Sequence, residues 1–200
     1  QPPLTAATTA LRKPEPTSVG HAFATSGVTV VQDDGNDSRE GSGELLGSSP
    51  ARMRGYFGDA TATKKAFAGS GAMRTGDLGR IDERGFVYLT GRLKDIIISG
   101  GENIATPEVE RVLYEHPAVL EAAVVGSPDV RWGEVPAAYV ALRPGSVATA
   151  EEIISFCAAR LAKFKAPKIV RFVDTLPRNP SGKVLKRELR DEENRHRERI

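Results

Sequence analysis

Residues 91–103 read GRLKDIIISGGEN, and this stretch decides how the chain is organised. The three isoleucines at 96–98 form a β-branched run that is typical of a buried strand, and Gly100 and Gly101 end it. Before this stretch, short apolar runs separated by Gly-containing turns favour β structure. After it, strand patterns alternate with helix patterns. The stretch therefore predicts a boundary between two differently built parts of the chain.

The part that follows the boundary has the element order β-α-β-β-α-β. Thr106 is expected to cap the first helix, whose first turn contains Pro107, where the missing N–H of proline costs nothing. Thr149 and Glu152 have the spacing of a capping box and should open the second helix. The strand patterns occupy residues 119–125, 135–142 and 168–173. This order predicts an α+β fold with helices packed on one sheet.

Two domains are predicted from this change of pattern. Residues 1–93 should form a β-rich segment of a larger domain, and residues 94–200 a small α+β domain. Within the first part, the apolar runs at 78–81 and 86–89 flank a Gly-containing turn and predict a β-hairpin. The proline-rich residues 1–18 are interpreted as extended, linker-like chain.

Charge and composition exclude several classes of protein. The formal net charge of +2, with 27% charged and 40% hydrophobic residues, gives no basis for nucleic-acid binding. Cys157 is the only cysteine, so no internal disulfide can form, and its apolar surroundings indicate a core residue. His21, His116 and His196 lack metal-ligand spacing. No apolar run approaches a membrane span of ~20 residues, and without a signal-peptide pattern a cytoplasmic location is expected.

Three short segments could carry chemistry, although each alone has a simpler explanation. In the sequence TGD at 75–77, the carboxylate could accept hydrogen bonds from a ribose diol or merely cap a turn. Arg92 could grip phosphate or ribose oxygens, or form a surface ion pair. Lys183, in the sequence PSGK at 180–183, could contact a phosphate or remain solvated. Its spacing is not that of a P-loop.

Taken together and in this order, the segments resemble the ANL superfamily of adenylate-forming enzymes. That superfamily comprises acyl- and aryl-CoA synthetases, adenylation domains of nonribosomal peptide synthetases and firefly-type luciferases. The resemblance runs from about residue 18 to residue 189. It is carried by RTGDL at 74–78, GR at 91–92 and PSGK at 180–183, with GEL at 43–45 and RGY at 54–56 upstream.

The resemblance implies a role for each matching residue. Asp77 matches the aspartate that binds the ribose, and Arg92 matches an arginine that contacts the ribose or phosphate side of the nucleotide. Lys94 matches the hinge about which a mobile C-terminal lid rotates between two half-reactions. Lys183 matches the catalytic lysine, which bridges the carboxylate of the acid and the α-phosphate during adenylation.

The resemblance also implies substrates and cofactors. The family joins a carboxylic acid, here a fatty or aryl acid, to AMP with release of pyrophosphate, and then transfers the acyl group to a thiol. ATP and AMP are therefore implied, with Mg²⁺ as the companion of ATP and CoA as co-substrate. Gly100 and Gly101 match the loop that lines the pantetheine tunnel. The acid itself stays open, because the family's acyl pocket lies upstream of these residues.

We therefore expect the C-terminal portion of an ATP-dependent acid–CoA ligase, completed by an N-terminal large domain and inactive alone. One alternative is an adenylation domain or acyl-AMP ligase that loads a carrier protein. Another is a noncatalytic interaction module with a lid-like fold. The sequence SGGENI at 99–104 favours CoA as the acceptor, and the presence of Asp77, Arg92 and Lys183 argues against loss of activity.

Overall fold

The computed structural model describes residues 5–6, 18–32 and 35–197. The chain divides into two compact units, Gln1–Lys94 and Asp95–Ile200. The assignment of these units to the end of a larger domain and to a mobile lid stays a prediction. Nearly all of the predicted linker at residues 1–18 lies outside the described residues.

The described residues of the first unit form β-strands and one short helix. Its elements are β1 (Thr5–Ala6), β2 (His21–Ala22), β3 (Gly27–Val31), β4 (Asp37–Ser38), β5 (Gly41–Ser48), α1 (Ala60–Lys65), β6 (Met73–Ile81) and β7 (Val87–Arg92). One antiparallel sheet has the strand order β4-β3-β5-β6-β7, and β1 pairs with β2. The predicted hairpin is confirmed as β6 and β7, whose turn holds Gly85 at a φ of +80°. Val30, Leu45, Ile81 and Val87 form the core.

A 3₁₀ helix at Leu93–Asp95 leads into the second unit. The elements of that unit are β8 (Ile96–Ser99), β9 (Glu102–Ala105), α2 (Thr106–Tyr114), β10 (Val119–Asp129), β11 (Gly133–Leu142), α3 (Ala150–Ala158), β12 (Ile169–Phe172) and α4 (Lys186–Arg197). The sheet has the order β10-β11-β8-β9, and β12 pairs in parallel with β11. The mixed sheet and its helices confirm the predicted α+β fold class.

Both faces of the β10–β11 ladder are buried. Alternate residues point to opposite faces of a strand, and Val124 packs in the cluster that contains Cys157 of α3. The next residue, Val125, packs in the cluster that contains Tyr139 of β11 and Leu189 of α4. Helices therefore cover the sheet on both sides. This explains why these strands are almost continuously apolar.

The two predicted helix starts have different outcomes. The capping box is confirmed: the Glu152 amide donates to Thr149 Oγ1 at 3.2 Å, and the Thr149 amide donates to Glu152 Oε2 at 2.8 Å. The predicted cap by Thr106 is wrong, because Ala105 is the N-cap and Thr106 is the first helical residue. Thr106 is buried, and its Oγ1 accepts a hydrogen bond from Lys186 Nζ at 2.7 Å instead.

Cys157 is a core residue, as predicted. It is fully buried between α3 and the sheet. Burial raises the pKa of its thiol to about 11. Because the thiolate is the reactive form, a thiol that stays protonated at neutral pH is a poor nucleophile.

Candidate active site

The TGD segment at 75–77 forms a bulge in β6. In the ladder between β5 and β6, Leu45 alone lies opposite these three residues. Gly76 has a φ of +71°, a conformation that residues with side chains rarely adopt. Bulges often occur beside active sites, where they redirect a side chain. Here the bulge places Asp77 at the end of the strand pair that leads to residue 94.

The polar groups of this bulge are satisfied by two side chains. Thr75 Oγ1 donates to a backbone carbonyl of β5 at 2.6 Å and accepts from the Asp77 amide at 3.1 Å. Glu44 is buried, accepts from the Gly76 amide at 3.3 Å and forms an ion pair with Arg74. Because Thr75 and Glu44 hold the backbone, the carboxylate of Asp77 is available for other partners.

Asp77 lies directly opposite Arg92 in the β6–β7 pair. Arg92 Nε and Asp77 Oδ1 are 3.0 Å apart, and the side chains are 42% and 30% exposed. These two residues line an open cavity of about 370 Å³, together with Thr75, Gly76, Leu93 and Lys94. The structure thus brings together Asp77, Arg92 and Lys94, three of the residues that the sequence singled out.

The cavity offers one carboxylate and one guanidinium to a ligand. A carboxylate accepts hydrogen bonds from a sugar diol, whereas a guanidinium donates to phosphate or sugar oxygens in a planar fork. In the structure the carboxylate of Asp77 and the guanidinium of Arg92 are paired with each other. A ligand that bound both would therefore have to open the Asp77–Arg92 pair.

Lys183 lies in an exposed loop of the second unit, between β12 and α4. Its backbone amide donates to Asn179 Oδ1 at 2.8 Å, and its carbonyl accepts from the backbone amide of Asn179 at 2.9 Å. Gly182 has a φ of +82°, which lets the chain turn just before the lysine. Within residues 18–32 and 35–196, no group forms a hydrogen bond or ion pair with Lys183 Nζ.

Gly100 and Gly101 lie in a different loop of the second unit, between β8 and β9. The Gly100 amide donates to the Trp132 carbonyl at 2.8 Å. The ring of Trp132 covers Gly100 so closely that an added Cβ would lie 2.7 Å from Cε3. Gly101 has no atom within 4 Å of such a Cβ position. The assignment of this loop to CoA stays a prediction.

Sequence reasoning missed three residues that support these sites. Glu44 and Thr75 hold the bulge at Asp77, and Asn179 holds the backbone of Lys183. Asn179 and Thr75 had a local signal, because asparagine and threonine side chains often bond the backbone of their own turn. The partners of Glu44 lie 30 or more residues away in sequence.

The described part of the chain holds no group of three or more His, Cys, Asp or Glu side chains that could bind a metal ion. In the same part, no helix is long and apolar enough to cross a bilayer.

Comparison with known proteins identifies the family. Residues 108–183 match the AMP-binding enzyme C-terminal domain. The chain is 43% identical over 175 residues to the long-chain-fatty-acid–CoA ligase FadD13 of Mycobacterium tuberculosis, which covers 88% of this chain and 34% of that protein. It is 52% identical over 148 residues to a 2-succinylbenzoate–CoA ligase of Bacillus mycoides, covering 74% of this chain and 30% of that protein.

The crystal structure of ATP-bound MatB from Rhodopseudomonas palustris matches with a TM-score of 0.85 and 37% identity, over 90% of this chain and 36% of that one. The chain thus spans about a third of the length of the curated relatives it matches. By this similarity and the matching C-terminal domain, the chain belongs to the adenylate-forming enzymes of the ANL superfamily.

Proposed function

We propose that this chain is the C-terminal portion of an ATP-dependent acid–CoA ligase. The ligase converts a carboxylic acid first to an acyl-adenylate and then to an acyl-CoA thioester. The observation that carries the proposal is the shared cavity of Asp77, Arg92 and Lys94 in a chain so similar to CoA ligases. A large N-terminal domain completes the enzyme and supplies the acyl pocket.

In this proposal Asp77 and Arg92 bind the nucleotide. The carboxylate of Asp77 accepts hydrogen bonds from the ribose diol, and Arg92 turns towards the ribose or phosphate oxygens. Their ion pair opens at little cost, because both side chains are partly exposed and such pairs contribute only about 0–1 kcal/mol. Mg²⁺ enters with ATP as part of the substrate.

Lys183 acts in the first half-reaction. A carboxylate oxygen of the acid attacks the α-phosphorus of ATP, a P–O bond forms, and the bond to pyrophosphate breaks. Negative charge develops between two groups that are already anionic. The ammonium group of Lys183, placed between them, stabilises that charge electrostatically. Its lack of a protein partner among the described residues supports this role, because the cation is free for the substrates.

In the second half-reaction the thiol of CoA attacks the acyl carbon, the C–S bond forms and AMP leaves. The loop at Gly100 and Gly101 lines the path of the pantetheine arm, where the glycines allow close approach of backbone to ligand. Rotation of the second unit about Lys94 moves Lys183 away from the reacting groups after the first half-reaction. The same rotation brings the loop at Gly100 and Gly101 to them for the second half-reaction. The acid is fatty or aryl, and the enzyme acts in the cytoplasm.

The test is an assay of the complete enzyme with ATP, Mg²⁺, CoA and a panel of fatty and aryl acids. We expect AMP, pyrophosphate and acyl-CoA in equal amounts with at least one acid, and no thioester from the 200-residue chain alone. Formation of the adenylate without a CoA thioester would instead identify an acyl-AMP ligase. Absence of acid-dependent pyrophosphate release across the panel would favour a noncatalytic module.

A further inference from the structure

We propose that Asn179 and Arg178 are positioning residues that fix the backbone of Lys183 and so determine where its ammonium group is presented. The inference rests on the proposed function, because it concerns the same lysine. It adds two residues whose side chains act through the protein rather than on the substrates.

Asn179 bonds both backbone polar groups of Lys183. Its side-chain Oδ1 accepts from the backbone amide of Lys183 at 2.8 Å, and its backbone amide donates to the Lys183 carbonyl at 2.9 Å. The same Oδ1 accepts from Ser181 Oγ at 2.8 Å, and the Gly182 amide donates to the Asn179 carbonyl at 2.8 Å. One residue thus closes the whole turn from 179 to 183.

Arg178 connects this turn to the sheet of the second unit. Its Nη1 donates to the Gly182 carbonyl at 2.5 Å, in the peptide unit immediately before Lys183. Its Nη2 donates to Glu121 Oε1, on β10, at 2.7 Å. The planar guanidinium makes both bonds at once, which a lysine ammonium does with less directional precision. The peptide that precedes Lys183 is therefore fixed to a rigid strand.

The charges around the loop follow one pattern. Arg178 pairs with Glu121, and Lys186 lies 2.7 Å from Glu110 Oε1 on α2, with both of those side chains largely buried. In the sequence, Lys183 lies between these two paired cations, and its side chain is exposed. These two carboxylates thus anchor the chain before and after Lys183 in the sequence, while the ammonium of Lys183 has no partner among the described residues.

Fixing the backbone matters because a lysine side chain is long and flexible. If the Cα position also varied, few conformations would place the ammonium between the two reacting anions. A displacement of 1 Å at a reacting centre can cost about 10²-fold in rate. Sites held by supporting hydrogen bonds avoid this loss.

The experiment compares the two half-reactions in the complete enzyme for Asn179→Ala, Arg178→Ala and Arg178→Lys. Adenylation is followed by acid-dependent ATP–pyrophosphate exchange, and thioester formation is followed from supplied acyl-adenylate and CoA. We expect Asn179→Ala and Arg178→Ala to lower kcat for adenylation by about 10- to 100-fold, with thioester formation and the KM for ATP unchanged. Arg178→Lys should recover only part of the loss.

Two further measurements separate positioning from general structural damage. Combined with Lys183→Ala, Asn179→Ala should cause no additional loss of adenylation, because the group it positions is already absent. Arg111→Ala is the matched control, since Arg111 forms an exposed helical pair with Glu115 outside this loop. It should leave both half-reactions unchanged.

Equal loss of both half-reactions, or an additional loss in the Lys183→Ala background, would overturn the positioning role. Undiminished adenylation in both alanine variants would overturn it as well. Selective loss of adenylation in Lys183→Ala alone would still support the proposed function. If Lys183→Ala itself left adenylation intact, the proposed function would fail, and this inference with it.

Discussion

The two candidate regions hold their functional side chains in opposite ways. In the first unit, Asp77 and Arg92 are bonded to each other, and Thr75 and Glu44 support the backbone at Gly76 and Asp77. In the second unit, Lys183 has a bonded backbone, but its ammonium has no partner among the described residues. A ligand that binds in the first region must therefore replace the Asp77–Arg92 pair, whereas Lys183 has no such pair among the described residues to give up.

The units also differ in what their buried carboxylates support. Glu44 of the first unit lies beneath the bulge that presents Asp77. Glu193 of the second unit belongs to α4, accepts from Ser127 Oγ and Tyr139 OH at 2.8 Å each, and pairs with Arg171. The first carboxylate shapes a site, while the second holds a helix on a sheet. Mutations should therefore separate stability in the second unit from ligand binding in the first.

The largest effect on stability is expected for Glu193→Ala. Glu193 is buried, and its removal leaves the buried hydroxyls of Ser127 and Tyr139 without their acceptor. It also leaves the 30% exposed Arg171 without its partner, so we expect a cost of about 3–5 kcal/mol in the free energy of unfolding. The neighbouring Glu192, whose side chain is 43% exposed, provides the control. Chemical denaturation should show a large shift for Glu193→Ala and almost none for Glu192→Ala. Similar shifts for both would show that the buried network contributes little.

The same carboxylate predicts a pH dependence of stability. Burial acts to raise the pKa of Glu193, but hydrogen bonds from Arg171, Ser127 and Tyr139 outweigh burial and hold that pKa below its usual value. A lowered pKa in the folded state stabilises the protein above the unfolded pKa. This contribution is lost as the pH falls through the folded pKa. Unfolding free energy should thus decrease below about pH 4.3, the usual pKa of glutamate.

Glu193→Gln tests this linkage, because it keeps the shape of the side chain and removes the titration. Denaturation midpoints measured between pH 3 and pH 7, a window of a few units about that pKa, should depend on pH less in the variant than in the original protein. An unchanged pH dependence would assign the acid sensitivity to other carboxylates.

Asp77→Asn should weaken nucleotide binding with little effect on stability. A hydrogen bond to a charged group contributes about 1.5–3 kcal/mol, so the Kd for ATP in the complete enzyme should rise by about 10- to 100-fold. The unfolding free energy should change by less than about 1 kcal/mol, since the Asp77–Arg92 pair is partly exposed. Calorimetric titration measures the first quantity and thermal unfolding the second.

The control for this experiment is Glu83→Gln, an exposed change in the turn of the same hairpin. It should affect neither ATP binding nor stability. Unchanged ATP affinity in Asp77→Asn would remove this residue from the nucleotide site.

A smaller effect is expected in the loop at Gly100 and Gly101. Both residues have positive φ, at +59° and +88°, so alanine is strained at either position. Such strain costs about 1–3 kcal/mol. Only at Gly100 would the added Cβ also meet the ring of Trp132. Gly100→Ala should therefore lower the melting temperature more than Gly101→Ala, and equal shifts would show that the ring moves freely.

The local parts of the structure could be predicted from the sequence. The hairpin of β6 and β7 depends on two apolar runs and a glycine turn, and the capping box on two residues three positions apart. Asp77 and Arg92 could be chosen because their motif resembles a known family, although their mutual ion pair could not be foreseen. That pair depends on the register of β6 and β7, which shifts between Leu78 and Gly79.

The parts that could not be predicted depend on distant partners. Thr106 has the chemistry of a helix cap, but Lys186, 80 residues away, binds its hydroxyl in the folded chain. The second covered face of the sheet could not be seen either, because α4 is highly charged and packs through few residues such as Leu189. In both cases tertiary packing outweighed a local preference.

The central claim is that Lys183 serves adenylation and not thioester formation. The most direct measurement compares the two half-reactions of the complete enzyme before and after Lys183→Ala. The account predicts that adenylation falls by at least about 10²-fold, while thioester formation from supplied acyl-adenylate largely survives. Equal loss of both half-reactions, or no loss of adenylation, would contradict it.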